Sequence, residues 1–80
     1  MKTIYMVYKT DAWHSYASRD VIGIATNLII AINICKQQSK KEHAKIKEDQ
    51  IWNLQNIKQT QGYSGEGEFQ IESIETNKLL

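Results

Sequence analysis

The chain has 80 residues, a formal net charge of +1 and 41% hydrophobic residues, and its length bounds it to one small domain. A chain this short buries only about 60% of the surface its unfolded form exposes, and its single cysteine, Cys35, excludes an intrachain disulfide as a brace. The only histidines are His14 and His43, so no Cys/His set has metal-ligand spacing, and neither a metal nor another cofactor is expected.

Thr3 to Tyr8 is rich in β-branched and aromatic residues and predicts a strand. Ile4, Met6 and Tyr8 share one face of it, Tyr5 and Val7 the other. Both faces are apolar, which suits a central strand or one whose second face is covered by a partner. Lys9 to Asp20 breaks the pattern, and a shorter strand follows at Val21 to Ala25.

Thr26 or Asn27 is a fit N-cap for a helix, since either side chain can accept a bond from an orphan backbone N–H. Leu28, Ala31, Ile32 and Cys35 then recur at helical spacing, with Ile30 and Ile34 widening the stripe. Beyond Cys35 the helix turns polar and basic, which suits the negative pole of its dipole. A second helix is expected from Glu48 to Lys58, with Ile51, Leu54 and Ile57 or Lys58 on one face, Ile46 packing back, and Trp52 off the stripe. Its N-terminus has Lys47 where a capping Ser or Asp would be natural.

Gln59 to Gly67 reads as a loop and Glu68 to Thr76 as a third strand, with Phe69 and Ile71 inward and Ile74 on the opposite face. The order is β-β-α-α-β: a three-stranded, mainly antiparallel sheet with two helices on one face. The expected core is the Leu28, Ala31, Ile32, Cys35 stripe on the sheet face of Ile4, Met6, Phe69 and Ile71. Tyr5, Val7 and Ile74 would then be left for contact with a second copy, and a homo-oligomer is expected of a domain without staples.

Two loops gather the chemistry-bearing residues. In the first, Trp13 and Tyr16 could stack on a planar ligand while Arg19 forks onto a phosphate or carboxylate, with His14 beside them. The bland alternative folds Trp13 over the sheet edge and uses Asp11 and Ser15 to satisfy the turn. In the second, Thr60, Gln61, Tyr63 and Ser64 lie among glycines whose backbone N–H groups could approach an anion, or simply form a flexible turn. It matches neither the GxxxxGK[ST] nor the GxGxxG phosphate-binding pattern, and Gly62 to Glu66 misses the G-x-S-x-G nucleophile elbow. Trp13, His14, Tyr16, Arg19, Thr60, Gln61, Tyr63 and Ser64 are therefore the expected ligand or partner site, facing one another across a cleft.

Hydrolysis is not expected, because His14 beside Ser15 in sequence says nothing of triad geometry. Cys35 on an apolar stripe reads as a small buried hydrophobe. Val21 to Cys35 is shorter than a membrane span of ~20 residues and carries Thr26, Asn27 and Asn33, so no membrane role is expected. The lone thiol and the lack of an apolar leader suit the cytoplasm. Lysines 36, 40, 41, 45 and 47 make a basic middle, and Glu66, Glu68, Glu72 and Glu75 an acidic end, with nucleic acid not expected as a partner.

Asp11-Ala12-Trp13-His14-Ser15-Tyr16, then Ser18 and Ile22-Gly23, then Gln59-Thr60-Gln61-Gly62 ahead of a Glu-Phe-Gln-Ile-Glu strand, resembles small uncharacterised proteins of bacteriophages and mobile elements. The resemblance implies a non-catalytic protein that binds and blocks a host protein, such as a defence factor, in the host cytoplasm. The second reading is an oligomer that sequesters a small anionic, nucleotide-like ligand, and the third a virion structural or assembly component.

Overall fold

A computed structural model describes residues 3–75 and gives strand β1 (Thr3–Thr10), strand β2 (Asp20–Ala25), helix α1 (Leu28–Lys41), helix α2 (Glu48–Asn56) and strand β3 (Glu68–Glu75). A single 3-10 turn, Tyr16–Ser18, interrupts the first loop. The sheet is antiparallel with order β2-β1-β3, so β1 is central. The expected element order is thus the one observed. Thr76, which the sequence assigns to the third strand, lies outside the described residues.

Local chemistry sets the helix ends. Asn27 is the N-cap of α1, its Oδ1 accepting from the Ile30 N–H at 2.9 Å. At the other end His43 takes a left-handed φ of 57°. The Ala44 N–H then reaches the Ser39 carbonyl at 2.9 Å and the His43 N–H the Lys40 carbonyl at 3.1 Å. This is a Schellman closure with histidine where glycine is usual. Helix α2 has Lys47 as an N-cap without a side-chain cap bond and stops at Asn56, two residues before the expected end.

The core forms between the helices and one sheet face. Val7, Phe69 and Ile71 from the sheet meet Ala31, Ile32 and Cys35 of α1 and Leu54 of α2, all buried, with Ile46 and Ala25 closing the sides. Cys35 is fully enclosed, and burial pushes its thiol up to about 12, which keeps it protonated and unreactive. Ile30, expected to widen the apolar stripe, is 43% exposed, whereas Ile34 is packed against the core.

The two faces of β1 are the reverse of those expected. Val7 pairs with Ile71 and Tyr5 with Ser73, so Tyr5 and Val7 point to the helices, and Ile4 and Met6 point away. The physical reason is register. Directly opposed residues of an antiparallel pair share a face, and the Val7–Ile71 pairing seats Phe69 opposite Lys9. The Lys9 ammonium lies 4.5 Å from the centroids of both the Phe69 and Tyr63 rings, so a lysine completes the inner face that a hydrophobicity pattern assigns to solvent.

A bulge in β2 has a second effect. Val7 pairs with Gly23 but Tyr8 with Val21, which leaves Ile22 as an extra residue. Val21 and Ile24, three apart, consequently lie on the same outer face, beside Tyr8 and Met6. Ile22 packs inward.

These placements predict where side-chain truncation will be felt. Ile32→Ala and Ile71→Ala should each cost about 2–5 kcal/mol in urea unfolding, while Ile29→Ala, at a site 73% exposed, should stay within about 0.5 kcal/mol of wild type. Equal losses at all three sites would show that the core has been assigned to the wrong surfaces.

Candidate functional site

The first loop is built around one carboxylate. Asp11 Oδ1 accepts from the Trp13 N–H at 3.1 Å and the Ser15 N–H at 3.0 Å, and Oδ2 accepts from the Ser15 hydroxyl at 2.6 Å. The Asp11 N–H donates to Ser18 Oγ at 3.0 Å, and that hydroxyl donates to the Ser15 carbonyl at 2.8 Å. This is Asx-turn chemistry extended over eight residues. The Ser15 hydroxyl, the Ser15 N–H and the Trp13 N–H hold the Asp11 carboxyl below the usual carboxylate range.

Asp11 and Ser15 thus satisfy the turn, but Trp13 does not fold over the sheet. Trp13 is 84% exposed and Tyr16 82% exposed. His14, with a left-handed φ of 54°, turns inward: its Nε2 donates to the Thr60 carbonyl at 2.8 Å and its Nδ1 lies 3.2 Å from Thr10 Oγ1. Arg19 runs onto the outer sheet face, where its guanidinium sits 5.2 Å from the Tyr8 ring and 4.8 Å from the Tyr16 ring and pairs with Glu72 at 3.0 Å.

The second loop is anchored by a different carboxylate, Glu68 at the start of β3. It accepts from Thr60 Oγ1 at 2.6 Å, the Gly62 N–H at 3.0 Å and the Tyr63 N–H at 3.1 Å. Thr60 is fully buried and Tyr63 nearly so, its ring edge-on to Phe69 at 4.8 Å. The glycine loop's backbone donors are therefore turned onto the protein's own anion. Gly67, with φ of 71°, is required where it stands, because a Cβ there would run into the Thr10 carbonyl.

Of the eight sequence-designated residues, only His14 and Thr60 bridge the two loops. The Gln61 N–H donates to Gln50 Oε1 at 2.7 Å, and Ser64 Oγ donates to the Lys45 carbonyl at 3.1 Å, so both serve the α2 side. Trp13 and Tyr16 face water, and Arg19 lies on the outer sheet face. Sequence reasoning missed Lys9, Glu42 and Glu68. Lys9 donates to the Glu66 carbonyl and lies 3.3 Å from Glu42 Oε1, which also accepts from the Tyr63 hydroxyl at 2.8 Å. Residues far apart in sequence meet there, and no local motif announces them.

A cleft of about 510 Å³ opens beside this cluster, lined by Lys9, Asp11, Asp20, Glu42, Glu66 and Gly67 among others, and by none of the eight designated residues. Its carboxylates at Asp11 and Glu42 are already occupied by the bonds described above. Among the described residues no helix is long and apolar enough to cross a membrane, and no His, Cys, Asp and Glu grouping could hold a metal ion.

No protein-family model, curated protein or solved structure matches the chain.

The anchoring carboxylate makes a pH prediction. Burial alone would raise Glu68, but the Thr60 hydroxyl, the two backbone donors and nearby His14 outweigh it and hold the carboxyl below its ordinary value. A depressed folded-state value stabilises above the unfolded glutamate range of about 4.3, and the gain is lost as pH falls through the folded value. Glu68→Gln should cost roughly 1–3 kcal/mol at neutral pH, because its amide meets donors with a donor. The variant's stability should also fall less steeply than wild type below about pH 4. Parallel acid-denaturation curves would remove Glu68 from this role.

Proposed function

We propose that the protein is a non-catalytic binding module that recognises a protein partner through the loop carrying Trp13, Tyr16 and Arg19. The observation that carries this reading is the exposure of two large aromatics on a segment fixed by its own hydrogen bonds. A floppy loop would lose entropy on binding, whereas this one has its backbone set in advance by Asp11, Ser15 and Ser18. Trp, Tyr and Arg are the residues that dominate protein–protein contacts. Here Arg19 stiffens Tyr16 by stacking on it, and Glu72 holds the guanidinium. The partner is expected to offer an apolar pocket for Trp13.

Together with the resemblance to small phage proteins, this favours stoichiometric blocking of a host protein. Capture of a nucleotide between the two loops has less support, because Thr60 and Tyr63 are buried and the glycine-loop donors are used by Glu68.

The test uses the full chain as bait in bacterial lysate. A protein retained in stoichiometric amount by wild type should be lost with Trp13→Ala and Tyr16→Ala, with melting temperatures within about 2 °C of wild type. Asp11→Ala should weaken the same capture by loosening the loop, although Asp11 need not touch the partner. Capture that persists in both aromatic variants would discard this reading.

A further inference from the structure

The outward half of α1 and the connection after it carry charge of one sign. Lys36, Lys40 and Lys41 stand exposed on the helix, and Lys45 and Lys47 stand exposed between it and α2. Among the described residues none of these lysines is in an ion pair. The one carboxylate in the run, Glu42, turns inward to Lys9 and the Tyr63 hydroxyl, so its charge is matched by Lys9. Counted along the sequence, Glu42 offsets one of the five lysines; in the fold it belongs to a different cation. From Leu28 to Lys47 the solvent therefore meets exposed cations and no exposed carboxylate, and Glu48 and Asp49 mark where this surface ends.

The helix dipole explains only part of this. It favours cations in the last turn, which accounts for Lys40 and Lys41. Lys36 stands before that turn, and Lys45 and Lys47 lie beyond the helix. Lys36 and Lys40 are also a like-charged pair one turn apart, which costs the free helix a little stability and is relieved by a bound anion. The composition selects the anion. Protein interfaces are enriched in aromatics and arginine and depleted in lysine, and α1 holds neither an aromatic residue nor an arginine. A lysine ammonium is a point charge that suits phosphate oxygens without needing the fork of an arginine–carboxylate pair. A membrane surface takes up a helix by its apolar face. That face of α1 lies in the core, leaving only Ile29 and Ile30, at the end of the helix away from the lysines. Single strands are held on aromatic stacking platforms, which α1 lacks.

We propose that this basic strip binds the phosphate backbone of a duplex nucleic acid without reading its sequence. Lys36 and Lys40, neighbours on one side of α1, take phosphates of one strand, and Lys41, Lys45 and Lys47 add to the field around them. Asn33 and Gln37, exposed on the same half of the helix, supply neutral donors to phosphate or sugar oxygens. A net charge of only +1 leaves the long-range attraction weak, so the affinity rests on these contacts and is modest. The loop of Trp13 and Tyr16 takes no part.

Fluorescence anisotropy of a labelled duplex DNA of about 20 base pairs and arbitrary sequence, titrated with the full chain, tests this. Contact with about four phosphates gives a dissociation constant of roughly 1–10 µM at about 50 mM salt, weakening about 100-fold by about 200 mM. Lys36→Glu and Lys40→Glu should each weaken binding about 10-fold or more at the lower salt. Both sites are exposed, and each variant should melt within about 2 °C of wild type. Lys58→Glu makes the same change in net charge away from the strip and should bind nearly as wild type does, as should Trp13→Ala. Absence of binding at low salt overturns the proposal, as does binding indifferent to salt or lost equally in Lys58→Glu. Two competitors complete the test. Displacement of the duplex by poly-glutamate at equal charge concentration would reassign the strip to an acidic protein. Displacement by vesicles of mixed phosphatidylcholine and phosphatidylserine would reassign it to a lipid surface.

Discussion

The buried carboxylate of Glu68 holds together the part of the molecule that hydrophobic packing alone does not reach. Three donors converge on it from Thr60, Gly62 and Tyr63, and each bond fixes a different consequence. The Thr60 bond places the Thr60 carbonyl where His14 can donate to it, which ties the first loop to the second. The Tyr63 bond sets the ring against Phe69, under the Lys9 ammonium and within reach of Glu42 at the end of α1. A segment with three glycines would otherwise lose too much entropy on ordering to stay closed. The same bonds let residues 58–60 lie along β3 as a short extra edge, with the Thr60 N–H on the Phe69 carbonyl and the Ile71 N–H on the Lys58 carbonyl.

The sequence made the elements legible because most of them are periodic. A run of β-branched and aromatic residues marked β1, the alternation of Phe69 and Ile71 marked β3, and the 3.6-residue recurrence of Leu28, Ala31, Ile32 and Cys35 marked α1 with its Asn27 cap. Which face of β1 turns inward was not legible, since Ile4, Met6 and Tyr8 are as apolar as Tyr5 and Val7. Register decides it, and this register lays Lys9 over two aromatic rings. No pattern of hydrophobicity marks a lysine as an inner-face residue, because its stem and its ammonium obey opposite rules. The β2 bulge was equally silent: Val21-Ile22-Gly23-Ile24 reads as a plain strand until its partner is known.

The candidate site was legible in part. Composition singled out the first loop as a dense group of aromatics and polar residues, and Asp11 and Ser15 were readable as turn residues. The outward setting of Trp13 and Tyr16 was not, because it depends on the carboxylate that holds the loop away from the sheet. The glycine loop misled for a related reason. Backbone N–H groups freed by glycine do approach an anion, but the anion is Glu68 of the same chain, only a few residues downstream. A glutamate at the first position of a strand that follows such a loop is the signal that sequence reading passed over.

The division of labour within so small a chain follows from these contacts. Around α1 and the middle of the sheet the interior is apolar, and burial of Val7, Ile32, Leu54, Phe69 and Ile71 supplies the driving force for folding. Toward the loops the interior is polar, with Thr10, Thr60, Gln50 and Glu68 buried and bonded to one another or to the backbone. Such a network adds modest net stability, because each group gives up water to make its bond. What it supplies is uniqueness, since any other arrangement leaves a buried donor or acceptor without a partner. Uniqueness fixes the loop on which Trp13 and Tyr16 stand exposed, and these two side chains themselves contribute little to the fold. Loss of a core isoleucine would therefore threaten the whole domain, while loss of Asp11 or Glu68 would first blur the loops and only then the fold.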